Sequence, residues 1–254
     1  MQRRHALGAA VTGLAAAGCA TTTAAAVPFT VAQPAVPIAG STDVFPVRRI
    51  YCIGRNYAAH AREMGSDPTR EPPFYFTKPA TALTASGSTV AYPTETKNYH
   101  YEMELVIAIG APVFKVTPEA AVAAIWGYAP GLDMTRRDLQ AAAKAAGKPW
   151  DTAKGFDQSA ILGEIVRVSE TGLLKGGAIT LAVNGTERQR GDLADMIWNQ
   201  AEIVSNLSQL YHLHPGDLIY TGTPAGVGAV VPGDVLTGRI DGVGEITLTV
   251  GQPE

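Results

Sequence analysis

Two acidic residues stand at the mouth of a dense apolar run, Glu102-Met103-Glu104 followed by Leu105-Val106-Ile107-Ala108-Ile109 and stopped by Gly110. Five consecutive apolar residues of this kind, bounded by glycine, specify a buried β-strand. Successive side chains of a strand point to opposite faces. Residues i and i+2 therefore share a face, and the two carboxylates converge on one point roughly 7 Å apart along the backbone. Two anions so placed repel unless something positive lies between them, and a hard divalent cation held by oxygen ligands is the natural counterion. A Glu-x-Glu pair by itself is more often an exposed strand end with two solvated acids. Both readings stay open on this pair alone.

Asp133 adds a third acid. It follows the apolar run Tyr128-Ala129-Pro130-Gly131-Leu132, at a strand-to-helix junction of the sort where ligands gather, although helix capping is its commoner use. Behind it, Arg137 and Gln140 are three apart and share a helix face, with Lys144 one turn beyond Gln140. Arg137 has the forked geometry to take a carboxylate. Lys144 is read as part of a solvated face. His60 and Glu63 are also three apart in a short helical stretch, and a carboxylate on one imidazole nitrogen fixes the tautomer and raises the basicity of the other. That makes them a candidate general base and its orienting acid. Lys154, flanked by apolar, aromatic and small residues in Trp150-Asp151-Thr152-Ala153-Lys154-Gly155-Phe156, reads as a directed ammonium. The loop Thr221-Gly222-Thr223-Pro224, followed by Gly226 and Gly228, lacks the lysine and the spacing of a phosphate-binding loop, so its backbone donors suit a carboxylate better.

The body is predicted to be one β-rich α+β domain with a few peripheral helices. Strands are expected at Arg49–Ile53, Leu105–Ile109, Trp126–Leu132, Ile179–Val183, Asp217–Tyr220, Asp234–Ile240 and Glu245–Val250. Helices are expected at Tyr57–Met64, from Thr117-Pro118-Glu119 to about Ile125, from a Thr135 cap to Ala146, and after the Asn199/Glu202 capping-box spacing, with Ile203, Leu207, Leu210 and Tyr211 as the apolar stripe. Pro215-Gly216-Asp217 and Pro232-Gly233-Asp234 are turn signals between strands. Cys52, inside Ile50-Tyr51-Cys52-Ile53, is expected to be a small buried residue.

All 23 acidic residues but only 18 of the 20 Lys and Arg follow residue 40, so the body carries −5 with His neutral. That balance, without a basic run, argues against nucleic acid as partner. Arg3 and Arg4, the apolar stretch Ala6–Ala17 and the small residues after it have the layout of an export signal, similar to a twin-arginine signal. Residues 1–26 are therefore expected to be a signal peptide, 27–44 a tether rich in Ala, Thr and Pro, and 45–254 the folded domain. The protein is expected to be exported to the periplasm. Contact with a membrane is expected only if Cys19, in Ala16-Ala17-Gly18-Cys19, takes a lipid anchor. A disordered Ala/Thr tail is the alternative.

Taken in order, seven stretches resemble the fumarylacetoacetate hydrolase family, especially its short acylpyruvase members. They are Gly54-Arg55-Asn56-Tyr57 with His60 and Glu63; Phe76-Thr77-Lys78-Pro79; Tyr101-Glu102-Met103-Glu104-Leu105; Leu132-Asp133-Met134-Thr135 with Arg137, Asp138 and Gln140; Lys154-Gly155-Phe156-Asp157; Val183-Asn184-Gly185 with Arg188 and Gln189; and Thr221 to Gly228. The resemblance covers Val47 to Val250. It implies a mixed β-roll or sandwich of the family's C-terminal-domain type, usually dimeric, with Mg2+ (or Mn2+ or Ca2+) held by Glu102, Glu104 and Asp133. It implies His60 and Glu63 as the water-activating dyad, Lys154 and Gln140 as catalytic partners, and substrate contacts from Arg137, Gln140, Lys154, Thr223 and Lys78. The implied activity is metal-dependent C–C hydrolysis of an acylpyruvate-type diketo acid, such as fumarylpyruvate or acetylpyruvate, to pyruvate and a carboxylic acid. Oxaloacetate decarboxylation and 2-hydroxymuconate-type isomerisation on the same scaffold are the alternatives. A non-enzymatic exported carboxylate-binding protein is the alternative of another class.

Overall fold

The computed structural model describes residues 28–65 and 71–253. The expected signal peptide and the candidate lipid-anchor cysteine, Cys19, lie outside the described residues. The body begins at Gln33.

Along the body run β1 (Ala35–Pro37), β2 (Val44–Pro46), β3 (Arg49–Gly54), α1 (Ala58–Glu63), β4 (Phe74–Lys78), β5 (Leu83–Ala85), β6 (Thr89–Tyr92), β7 (Tyr99–Tyr101) and β8 (Met103–Ile109). After these come α2 (Pro118–Ala121), β9 (Ile125–Asp133), β10 (Thr135–Arg136), α3 (Arg137–Ala145), α4 (Asp151–Lys154), β11 (Ala160–Leu162), β12 (Val166–Arg167) and α5 (Val168–Thr171). The chain ends with β13 (Ala178–Val183), β14 (Thr186–Asp192), α6 (Gln200–Leu210), β15 (Asp217–Tyr220), β16 (Gly228–Ala229), β17 (Val235–Ile240) and β18 (Gly244–Pro253).

The largest sheet has the order β4-β3-β15-β8-β9-β11-β5, with β12 also on β9. It is mixed, because β3 runs parallel to β15 and β5 parallel to β11 while the other pairs are antiparallel. A five-stranded sheet, β14-β13-β17-β18-β6, and two small ones, β10-β7-β16 and β1-β2, complete the β-rich fold. The period of two sorts β8 cleanly. Met103, Leu105, Ile107 and Ile109 pack with Leu181, Leu236, Ile246 and Leu248 of the five-stranded sheet. Val106 and Ala108 face the other way, onto Ile50, Cys52, Leu218 and Tyr220. Glu102 and Glu104 share the parity of Val106 and Ala108, so the acids extend the second face. Gly131 opposes Glu104 across the β8–β9 ladder, and a side chain there would strike Val106 and Tyr220. Only glycine lets the two strands keep that register beside a buried tyrosine.

Most expected elements are present, and four differ. The segment read as a tether is part of the body from Gln33 onward. β1 pairs with β2, Ile38 bridges to Ile165, and Val36 and Ile38 are buried in the second core with Phe45 and Val47. Two short apolar side chains, Val36 and Ile38, suffice among alanine and proline because they pack onto the apolar face of the large sheet. The helix after Thr117 is a single turn that tightens at Val122–Ala124 before β9 begins at Ile125. Thr135 is no helix cap: its hydroxyl donates to the Asp133 carbonyl at 3.1 Å, and β10 pairs with β7 before α3 starts. The Asn199/Glu202 capping box is formed in full, but Leu210 and Tyr211 lie past the end of the packed stripe and are exposed, whereas Ile203 and Leu207 are buried. The Asn184-Gly185 pair, with φ of 51° and 77°, also makes a two-residue hairpin turn that yields β14.

Ile38→Ala is expected to lower the unfolding free energy by roughly 2–4 kcal/mol in a denaturant titration, as for a buried aliphatic truncation. No change would mean that this segment is a tether after all.

Candidate active site

Cross-strand pairing brings the three acids together. Asp133 closes β9 opposite the residues that open β8, and its amide donates to the Glu102 carbonyl at 2.9 Å. One ligand atom from each of Glu102, Glu104 and Asp133 lies within 4.8 Å of the others, and all three side chains are buried. Buried acids at this spacing need compensating positive charge. Lys154, delivered by α4, reaches Glu102 Oε2 at 2.8 Å and Asp133 Oδ2 at 2.7 Å. Arg137, at the start of α3, donates to Glu102 Oε1 and, at 2.6 Å, to Gln140 Oε1. Burial opposes ionisation of Glu102, but Lys154 and Arg137 hold its carboxyl well below the usual range. Burial likewise disfavours the Lys154 ammonium, yet Asp133 and Glu102 raise its pKa overall. Lys154 is therefore a fixed cation.

Glu104 is different. Its direct hydrogen bond is from the Gly222 amide, at 2.7 Å, and no cationic side chain among the described residues pairs with it. Burial, then Asp133 and Glu102, push its pKa well above the ordinary value. Asp133 Oδ1 is also unsatisfied: Lys78 Nζ is 2.8 Å away, but outside hydrogen-bonding geometry, while its protons go to the Met134 and Lys154 carbonyls. A buried carboxylate without a cation, next to a buried oxygen without a hydrogen bond, in an all-oxygen cluster, fits a hard divalent metal.

The dyad forms as expected. His60 Nδ1 is 3.1 Å from Glu63 Oε2; since a carboxylate only accepts, Nδ1 carries a proton, which leaves Nε2 as the nitrogen available for base chemistry. The Gly226 amide lies 3.1 and 3.2 Å from the two Glu63 oxygens and fixes that acid. The glycine loop thus offers its amides to the protein's own carboxylates, Glu104 and Glu63. Gly222 sits at φ +95° with its α-carbon against Asn56, whose side chain ties the loop through the Thr221 and Trp198 carbonyls.

A cavity of about 280 Å3 is lined by His60, Glu102, Glu104, Arg137, Gln140, Lys154 and Thr223, with Phe76 and Trp150 as aromatic walls. One expected contact is absent from it. Lys78 is buried behind Asp133, so it neutralises and braces that acid instead of touching substrate. The motif had flagged Lys78, but a lysine in a β-strand gives no sign of which face its ammonium reaches.

Residues 49–251 match the family described as fumarylacetoacetate (FAA) hydrolase, C-terminal. The chain belongs to the fumarylacetoacetate hydrolase family. Among its relatives, a fumarylpyruvate hydrolase from Ralstonia sp. is 54% identical over 188 residues, covering 74% of this chain and 97% of that protein. An oxaloacetate tautomerase of Escherichia coli K12 is 42% identical over 199 residues, covering 78% and 90%. The crystal structure of a fumarylpyruvate hydrolase from Pseudomonas aeruginosa in complex with Mn2+ and pyruvate superposes with a TM-score of 0.87 at 52% identity, covering 89% of this chain and all of that one. The β-rich fold matches these family neighbours.

Three further positions hold the family site together here. Gln189, fully buried, accepts from the Met103 amide at 3.0 Å and donates to Thr223 Oγ1 at 2.8 Å, coupling the acid strand to the glycine loop. His100 accepts from Arg137 Nε at 3.5 Å while its Nε2 donates to Asn98 at 2.8 Å. Burial and Arg137 pull its pKa down to about 4, so it is neutral and fit to accept. Asn56 anchors the loop. Only Gln189 and Asn56 fell within the recognised motifs, and without a role.

In the metal-free protein, Glu104→Gln removes an unpaired buried carboxylate and is expected to raise the melting temperature at neutral pH. Saturating Mn2+ is expected to stabilise the wild type by about 2.7 kcal/mol at a hundredfold excess over Kd, and the variant hardly at all. Equal stabilisation of both by Mn2+ would place the metal elsewhere.

Proposed function

We propose that this chain is a metal-dependent hydrolase that cleaves the C–C bond of an acylpyruvate, with fumarylpyruvate as the leading substrate. The observation that carries the reading is the His60–Glu63 dyad, whose histidine lines the same cavity as Glu102 and Glu104 of the acid cluster. Glu102, Glu104 and Asp133 would hold the divalent ion. When bound, the ion supplies Lewis-acid polarisation of adjacent keto and carboxylate oxygens. His60 Nε2 takes a proton from water, and the hydroxide adds to the distal acyl carbon. Glu63 stabilises the imidazolium that forms. The C–C bond then breaks: the acyl fragment leaves as a carboxylic acid, and the bond's electron pair stays on the pyruvate methylene carbon, which takes up a proton to give pyruvate. Lys154 stabilises the developing oxyanion as a fixed cation, and Gln140 contributes its amide, whose oxygen already accepts from Arg137. Arg137, with its remaining N–H donors, orients the substrate carboxylate. Thr223, held by Gln189, completes the wall opposite.

Oxaloacetate chemistry is the second reading, supported by the tautomerase relative. An enol–keto shift needs proton transfer but no attacking water, so the dyad favours hydrolysis. Mg2+ is the proposed native ion, on the hard oxygen donor set, with Mn2+ able to substitute. A homodimer is proposed on the family resemblance, and export to the periplasm on Arg3, Arg4 and the apolar stretch after them. Sequencing of the mature N-terminus tests the last point.

With Mg2+ or Mn2+, fumarylpyruvate and acetylpyruvate are expected to release pyruvate, and chelator to stop it. His60→Ala is expected to lower kcat by roughly 10²–10⁴ while Mn2+ still raises the melting temperature. Full activity in that variant would remove the water-activating role.

A further inference from the structure

Not every basic side chain of the cavity wall is taken up by its acids. Of the four basic side chains along its wall, Arg137 and Lys154 are engaged by Glu102, Asp133 and Gln140. The other two, Arg55 and Lys144, have no ion pair or hydrogen bond among the described residues. Both also line an adjoining chamber of about 500 Å3, which shares Phe76, Trp150 and Lys154 with the inner cavity. The outer chamber adds Lys148, and Asp151 is its single acid. Arg55 and Lys144, both exposed, therefore stand where the two cavities adjoin.

Their placement follows from the chain. Lys144 lies four residues after Gln140 on α3, so it stands one turn farther along the face that Gln140 presents to the cavity. Arg55 has φ +61°, a left-handed conformation that costs a non-glycine residue energy. Asn56 holds that turn by accepting from the Trp198 amide at 2.8 Å and donating to the Thr221 carbonyl at 2.8 Å. The strained turn carries the guanidinium into the cavity wall, away from the run of β3. Phe76, Trp150 and Ile53 line the same cavity as these cations and give it apolar walls suited to a flat conjugated chain. Trp150 packs edge-on against Phe74, with ring centroids 4.9 Å apart.

We propose that Arg55 and Lys144 bind the distal carboxylate of the substrate, so that the site selects diketo acids with a carboxylate at both ends over monocarboxylic acylpyruvates. This rests on the hydrolase reading above. Arg55 offers a fork to the carboxylate and Lys144 a point charge. Neither touches the reacting atoms, so they determine specificity and take no part in bond breaking.

The test compares kcat/KM for fumarylpyruvate and acetylpyruvate in the Mn2+-loaded wild type, Arg55→Gln, Lys144→Gln, the double variant and Arg55→Lys. The ratio favouring fumarylpyruvate is expected to fall roughly tenfold or more in each glutamine variant, mainly through KM, and further in the double variant. Arg55→Lys is expected to recover part of it. A ratio within threefold of wild type in the double variant overturns the proposal. Thermal shifts with fumarate and crotonate, which differ only in the distal carboxylate, separate this result from failure of the hydrolase reading. If wild type turns over neither diketo acid, that reading falls. Stabilisation by fumarate over crotonate that is lost in the double variant still supports the carboxylate site, and equal shifts overturn it.

Discussion

The structure depends on how three buried carboxylates are tolerated within 4.8 Å of one another. Lys154 bridges Glu102 and Asp133, Arg137 holds the other oxygen of Glu102, and Lys78 stands behind Asp133. Each of these cations comes from a different element: β4 brings Lys78, α3 brings Arg137 and α4 brings Lys154. Their convergence ties the helical side of the body to the sheet that carries the acids. Glu104 is left with a backbone amide alone, and this incomplete neutralisation marks the place for a metal. A cluster fully satisfied by protein groups would have no vacancy in its charge balance for a divalent ion to fill.

The sheet makes that cluster possible. β8 and β9 are buried on both faces, so their register is fixed by packing against two separate cores. A shift of one residue would turn Met103 and Leu105 toward the acid face and bury Glu104 against Leu236 and Ile246. Gly131 and Tyr220 block that slip from one side. On the other, Gln189 holds the Met103 amide and Thr223 together. The rigid strands thus locate the acids, while the glycine loop supplies amides to Glu104 and Glu63. The acid cluster and the His60–Glu63 pair are thus tied to one loop from farther down the chain, through Gly222 and Gly226.

Much of this was legible in the chain because its signals are local. The alternation around Glu102 and Glu104, the glycine that stops β8 and the capping box at Asn199 each act within a few residues. The three-residue spacing of His60 and Glu63 is equally direct, and the structure closes that pair at 3.1 Å. What sequence pattern missed depends on distant partners. Val36 and Ile38 look like tether residues until the sheet offers them a face, and Thr135 looks like a cap until β7 pairs with it. Lys78 reads as a substrate ligand in its motif, but the direction of its ammonium is set by Asp133, Met134 and Lys154. Lys144, which resembles a solvated helix residue, gains its proposed role only beside Arg55, 89 residues earlier.

The central claim is that Glu102, Glu104 and Asp133 form one divalent-metal centre from which the substrate extends toward Arg55 and Lys144. The most direct measurement is a Mn2+ anomalous difference map from crystals of the protein grown with manganese and pyruvate. The account predicts one strong peak within bonding distance of all three carboxylates, with pyruvate beside it in the cavity lined by His60, Lys154 and Gln140. A peak bound by other residues, or none at this cluster with Glu104 still held only by the Gly222 amide, would contradict it.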